Sequence, residues 1–375
     1  MKKYLLILCF FPLLVIAQNR YIINNAPGAA ANYYSLQAAI DAVPAGSILY
    51  VMPSGITYGD VVIAKALTIY GTGYFLGANI PANTQANALG NAIVNTIRFR
   101  TGSANSKIEG LQLSDLTLPN YPASFPYYRV ELDTVSNITV SRCYFNSVYG
   151  QSAMFCSKTS TNCTVTDCYM YLPNNSLQSS VRVIDNRDGV PIVGLLFRNN
   201  IITSGWSNLF GIYNYFIYPT DDITFTNNTI LTNLSRSTFN NLNYNNNILI
   251  HSFLADVVPV DPLTDGLSAN SHNNITNADH VFTDSVNNYQ NANADSMFVY
   301  SLAGYHSVDG SWTLRDTSFA KTYGQGAIEC GAYGGSNPYK LSGLPKLPYV
   351  YGMSLPAQVT APGTIAVHLK AKASN

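Results

Sequence analysis

Apolar and polar residues alternate along this chain in short bursts. One pattern recurs: apolar, x, apolar, x, x, small or amide, x, apolar. Six segments fit it: "LQLSDLTL" from Leu111, "ITVSRCYF" from Ile138, "CTVTDCYM" from Cys163, "LLFRNNII" from Leu195, "ITFTNNTI" from Ile223 and "LNYNNNIL" from Leu242. Their starts lie 27, 25, 32, 28 and 19 residues apart, and "LTIYGTGY" from Leu67 fits more loosely. Period-2 alternation predicts a short strand, the x-x step predicts a sharp bend, and the resumed alternation predicts a second strand. Such units at a spacing near 25 residues are the coils of a solenoid. Stacked about 4.8 Å apart, each strand pairs with the same strand of the next coil. The expected fold class is all-β, a parallel β-helix. Hairpin signals of the Asn-Gly or Asp-Gly kind between paired runs are missing, which argues against a meandering sandwich.

The sixth position of the pattern reads Leu116, Cys143, Cys168, Asn200, Asn228 and Asn247. Stacked coils would place these residues above one another at the bend. Asn there can adopt turn geometry and bond its amide to the amides above and below, so Asn200, Asn228 and Asn247 are expected to form an inward ladder, with Cys143 and Cys168 in an apolar extension of it. A ligand-binding surface is the competing reading of the amides. In "NNLNYNNNILIH", Asn243, Asn245 and Asn246 are then expected to point outward or turn the chain.

The two ends differ from the middle. Near the start, Ser35 is an N-cap candidate for a short helix with Leu36, Ala39, Ile40 and Val43 on one face. Strands are expected near Ile48–Val51, Val61–Ile63 and Leu67–Tyr70. The helix would cover the otherwise unpaired edge of the first coil. Before it, "MKKYLLILCFFPLLVIA" has two lysines and then an apolar run too short to span a bilayer. Residues 1–17 are therefore expected to be a signal peptide, residues 18–335 the solenoid, and residues 336–375 a Pro-rich linker with two short strands. Two strands are marginal alone. They are expected to cap the C-terminal coil, to self-assemble, or to pair with another protein by strand addition.

Composition narrows the function classes. Only 11% of the residues are charged, and formal net charge is zero. No basic stripe is visible, so nucleic acid is not an expected partner. With the signal removed, no span remains, and the chain is expected to be secreted, extracellular or at a bacterial cell surface. Five cysteines then remain: Cys143, Cys156, Cys163, Cys168 and Cys330. A Cys156–Cys163 disulfide and buried thiols filling the core are both open.

"SLQAAIDAVPAGSILYVMPSG", followed by "DVVIAKALTIYGTG", resembles the opening of right-handed parallel β-helix proteins of the pectin lyase-like superfamily. Ser47 stands where those proteins often have Asp. The resemblance covers roughly residues 33 to 335. It implies the fold, but the superfamily includes lyases, hydrolases, adhesins and non-catalytic surface proteins. Its C-terminal segment resembles tails on secreted bacterial β-helix proteins.

Enzymes of that superfamily act on acidic polysaccharides, which requires clustered carboxylates or a bound cation with a basic residue. Arg182, Asp185 and Asp188 in "RVIDNRDG", with Asp221 and Asp222 one coil later, are the catalytic candidates. Turn capping and arginine pairing explain the same residues. The five histidines show no ligand spacing, so no metal and no cofactor are expected. Tyrosine is abundant, at 27 residues. Tyr127, Tyr128, Trp206, Tyr213 and Tyr215 are ligand-binding candidates, because aromatic faces stack on sugar rings; tyrosine covering the solenoid in place of charge is the alternative. The leading expectation is a non-catalytic scaffold, adhesive or glycan-binding protein with polysaccharide or cell-surface partners. A polysaccharide lyase or glycoside hydrolase is the alternative.

Overall fold

The computed structural model describes residues 18–79, 90–114, 128–146, 152–172, 183–186, 190–204, 222–231, 242–250, 271–277, 287–302, 306–354 and 367–373. Three sheets of parallel strands dominate it. Nine strands, from Arg20–Ile23 to Leu242–Asn245, form one sheet. Eight, from Ile93–Val94 to Ile275–Thr276, form a second, and five, from Asp60–Ile63 to Ile184–Asp185, form a third. From Thr96 to Arg198 the chain visits the five-, nine- and eight-stranded sheets in rotation. That winding is a parallel β-helix, as the pattern predicts.

Alternation decides what lies inside. In the nine-stranded sheet Ile69, Ile108, Val140, Val165, Phe197, Phe225 and Tyr244 form one in-register buried row. Phe197, Phe225 and Tyr244 stack ring on ring, with centroids 4.8 and 5.0 Å apart and planes within 12°. The spacing is that of the rungs themselves, so identical rotamers fill the core coil after coil. Each such side chain contributes about 1.5–3 kcal/mol on burial. The expected helix is Leu36–Ala42, with Ser35 capping Ala38 N and Leu36, Ala39, Ile40 and Val43 buried. The five cysteines among the described residues are buried free thiols, so the Cys156–Cys163 bridge does not form.

The bend between the nine- and eight-stranded sheets carries the amide ladder. Asn200 N and Nδ2 both donate to Asn228 Oδ1, at 2.9 and 3.0 Å. Asn228 does the same to Asn247 Oδ1, at 2.8 and 3.0 Å. The series continues past the recognised repeats to Asn274 Oδ1 and then Asn288 Oδ1. Below it, Cys168 N donates to Asn200 Oδ1, and Cys143 N lies 3.4 Å from Cys168 Sγ.

Two details differ from the sequence reading. Thr139 pairs with Lys107 and Tyr144 with Gln112, so Cys143 stacks on Leu111, not Leu116. The first coil segment therefore starts at Ser106, five residues before the assigned Leu111. Ser106 occupies an apolar position of the pattern and instead accepts from Leu67 N through its hydroxyl. Turn geometry and ladder bonding also belong to different residues. The residue before each ladder position takes the left-handed conformation: Gly110 at φ 73°, Arg142 at 51°, Asp167 at 57°, Asn199 and Asn227 at 53°, Asn246 at 57° and Asn273 at 56°. Asn tolerates this region better than other non-glycine residues. An Asn-Asn pair thus splits two jobs between neighbours.

The first member of each pair has a further role. Its side chain faces out and holds a strap formed by residues 323–346. Asn273 Nδ2 donates to Tyr323 O at 3.1 Å, and Asn246 Oδ1 accepts from Gln325 N at 2.9 Å. Asn227 Nδ2 donates to Glu329 O, and Asn199 Nδ2 to Ala332 O and Gly334 O. Arg142 Nη1 reaches Leu344 O at 2.6 Å, and Glu109 Oε1 accepts from Lys346 N at 2.8 Å. The strap descends six rungs, roughly 29 Å at the standard strand spacing, from the last coils to an early one. With the segment before it, it covers the outer face of the eight-stranded sheet, where Tyr169, Ile201, Ile248 and Ile275 pack with Phe298, Leu314, Ala320 and Tyr339.

Within the segment 336–375, residues 339–346 make bonds to the solenoid and its covering. Pro338 and Pro345 interrupt any strand there, and the main chain meets solenoid side chains at Leu344 O and Lys346 N. Pro348–Ser354 and His368–Ala373 form the expected antiparallel pair, a two-stranded sheet of their own. The chain enters it from beside Glu109, and so not from the C-terminal coil it was expected to cap.

Candidate functional site

The outward face of the five-stranded sheet gathers charge in an otherwise charge-poor chain. Its inward row, Val61, Ile97, Val130, Met154 and Ile184, is buried. The pleat therefore turns the next residue of each strand outward: Val62, Arg98, Glu131 and Asp185 share a row. Arg100, Asp133 and Ser157 follow two residues further along.

Glu131 is the hub. Its Oε2 accepts from Arg100 Nη2 at 2.9 Å and from Tyr128 OH at 2.6 Å, and Arg98 Nε stands 3.8 Å away. Asp133 meets Arg100 Nη1 and Lys158 Nζ, each at 3.4 Å. Burial alone would raise the Glu131 carboxyl, but donors from Arg100, Tyr128 and Ser157 outweigh it and hold the group below its ordinary value. Burial, and then its bond to the Glu131 carboxylate, pushes the Tyr128 phenol up to about 12. Near neutral pH the pair is a carboxylate and a protonated phenol.

The cations keep capacity for a ligand. The Arg98 and Arg100 side chains are 30% and 31% exposed, and Lys158 is 65% exposed. Arg98 Nε and Arg100 Nη1 are shielded from solvent and face carboxylate oxygens at 3.8 and 3.4 Å without hydrogen-bond geometry. Buried donors of this kind ordinarily find an acceptor.

Of the catalytic candidates, Asp185 is buried on the same row as Glu131, two strands away, or about 9.6 Å along the sheet. Asp222 is exposed and leads into Ile223–Thr226 of the nine-stranded sheet, whereas Asp185 lies in the five-stranded sheet. Arg182, Asp188 and Asp221 lie outside the described residues, as do Tyr127, Trp206, Tyr213 and Tyr215. Tyr128 is in place, but its hydroxyl is engaged by Glu131. Arg98, Arg100, Glu131, Asp133 and Lys158 were not singled out from the sequence. Among the described residues, no group of three or more His, Cys, Asp and Glu could hold a metal ion. No described helix is long and apolar enough to cross a membrane.

No protein-family model matches the chain. No curated protein matches it either. Among solved structures, the chain is similar to the pectin methylesterase from Aspergillus niger, with 15% identity, 81% of this chain and 93% of that chain covered, and a TM-score of 0.32. A likeness of that size assigns no activity to this chain.

Proposed function

We propose that the protein is a secreted or cell-surface β-helix protein that binds a glycan, without turnover, on the outward face of its five-stranded sheet. The reading rests on one observation: Arg98, Arg100 and Lys158 gather on that face beside Glu131 and Asp133, with side chains 30%, 31% and 65% exposed. Sugar hydroxyls and carboxylates are suitable acceptors, and Arg presents its donors in a fixed plane. Glu131, held ionised, positions those guanidinium groups and serves neither as a general acid nor as an efficient base.

A glycan array with the protein lacking residues 1–17 tests this. Arg98→Ala and Lys158→Ala are expected to lower affinity for the bound glycan about tenfold each, in the range of a lost charged hydrogen bond. Binding that survives both substitutions removes the reading. Turnover of polygalacturonate or alginate that disappears in Asp185→Asn or Asp222→Ala establishes the lyase or hydrolase alternative instead.

A further inference from the structure

We propose that the C-terminal ribbon, Pro348–Ser354 with His368–Ala373, is a self-association element: two copies pack its apolar face against itself. The sequence "VHLKAKA" alternates strictly from Val367 to Ala373. In a strand, Val367, Leu369 and Ala371 take one face, and His368 and Lys370 take the other. The apolar side is not covered by the solenoid. Val367 is 50% exposed and Leu369 61%. Register sets Met353 opposite Leu369, Val350 opposite Ala371 and Pro348 opposite Ala373. Val367, Leu369 and Ala371 are all exposed, and no charged residue alternates onto their side of the strand.

A lone two-stranded ribbon is marginal in water. Something must cover the uncharged face, and the charges indicate what. No Asp or Glu follows Glu329, whereas Lys340, Lys346, Lys370 and Lys372 do. An acidic protein or a lipid headgroup surface would be met by the lysines. On the ribbon, Lys370 lies on the opposite side of its strand from Leu369, so one surface cannot satisfy both. A second copy can. Two ribbons stacked face to face bury the apolar side, about 10 Å apart as in a β-sandwich, and leave Lys370 of each copy outside in water. The arrangement is isologous and closes at a dimer. A ribbon some 20 Å long and 10 Å wide buries well under the roughly 1,200 Å² of an ordinary stable interface, so the dimer is weak in dilute solution.

Salt gives the signature. The paired ribbons carry like charge, so screening strengthens the dimer, whereas it would weaken docking on an acidic partner. Sedimentation velocity on the protein lacking residues 1–17, up to about 500 µM in low and high salt, is the experiment. The expected result is a monomer–dimer equilibrium that tightens with salt. Leu369→Asp is expected to weaken it at least tenfold. Lys370→Gln, on the other face of the same strand, is expected to leave it unchanged or tighter. This pair separates loss of the face from general damage to the ribbon, and circular dichroism reports the solenoid. A monomer at all concentrations and both salts overturns the proposal. So does association that salt weakens, or that both substitutions abolish equally.

Discussion

Asn228→Ala is the sharpest perturbation of the ladder. Asn228 is fully buried, and its Oδ1 accepts both Asn200 N and Asn200 Nδ2. Its Nδ2 donates to Phe197 O, Thr226 O and Asn247 Oδ1. Alanine keeps the backbone bond from residue 228 to Asn247 Oδ1, and Asn200 Nδ2 keeps Val165 O. The group left with nothing is the backbone N–H of Asn200, in the neighbouring coil. A buried unsatisfied N–H costs about 1–3 kcal/mol. Adding the lost carbonyl bonds and a small cavity, the substitution should destabilise by about 2–4 kcal/mol. That is a large share of the roughly 5–15 kcal/mol available to a domain. Asn243→Ala is the control: Asn243 sits four residues from Asn247, half-exposed on the outward row. It should cost less than about 0.5 kcal/mol. Urea unfolding followed by circular dichroism gives both values. A double-mutant cycle with Asn200→Ala should show coupling of at least about 0.5 kcal/mol, because the two amides bond each other. If Asn228→Ala costs less than about 1 kcal/mol, or no more than Asn243→Ala, the ladder is not a stabilising device.

Two further outcomes follow from buried titratable groups. Burial pushes the Asp167 carboxyl up to about 6, against the opposing pull of Arg142 and Arg198. The folded state thus holds this proton more tightly than the unfolded chain, and the associated stability is full below about pH 3.8 and lost as pH rises through about 6. Asp167→Asn should remove that part of the pH dependence, a difference of at most about 3 kcal/mol between wild type and variant across the window; parallel urea midpoints would contradict the shift. The five described thiols are buried, and burial raises Cys163, Cys168 and Cys330, the last to about 12. A thiol reagent should react slowly with native protein and count five groups in denaturant without reductant; a count of six would show that Cys9 and the leader are retained, and three would show a disulfide.

The solenoid was legible because its core obeys a periodic rule. The phase of the first coil was not, since Ser106 replaces an apolar residue with a hydroxyl that caps Leu67 N. The "LQL" of the second strand then mimics the first strand of another unit. The last two rungs, at Asn274 and Asn288, were invisible for a related reason. Ser271 is buried where the preceding coils place Tyr244 and Phe225, so the apolar alternation is gone while the amide remains. What persists is the doublet: Asn199-Asn200, Asn227-Asn228, Asn246-Asn247, Asn273-Asn274 and Asn287-Asn288. A left-handed residue followed by an amide donor is a stricter requirement than apolarity, because few residue types meet either half.

The charged face and the strap escaped notice for different physical reasons. Arg98 and Glu131 are 33 residues apart, and they meet only because two strands stack in register across a connection longer than the usual coil. No local pattern marks that pairing. The strap is held mainly through carbonyl oxygens and N–H groups of its own main chain, and every non-proline residue carries those alike. Its sequence marks that path only through glycines: a Cβ on Gly331 would stand 2.7 Å from Thr229 Oγ1, and one on Gly343 2.6 Å from Arg142 O. The other mark is on the partner, in Asn199, Asn227, Asn246 and Asn273, the first asparagine of four doublets. One doublet fixes the coil from inside and fastens the chain's return path from outside. Substituting the first asparagine should thus loosen the strap, and substituting the second should loosen the core, although the two residues are adjacent.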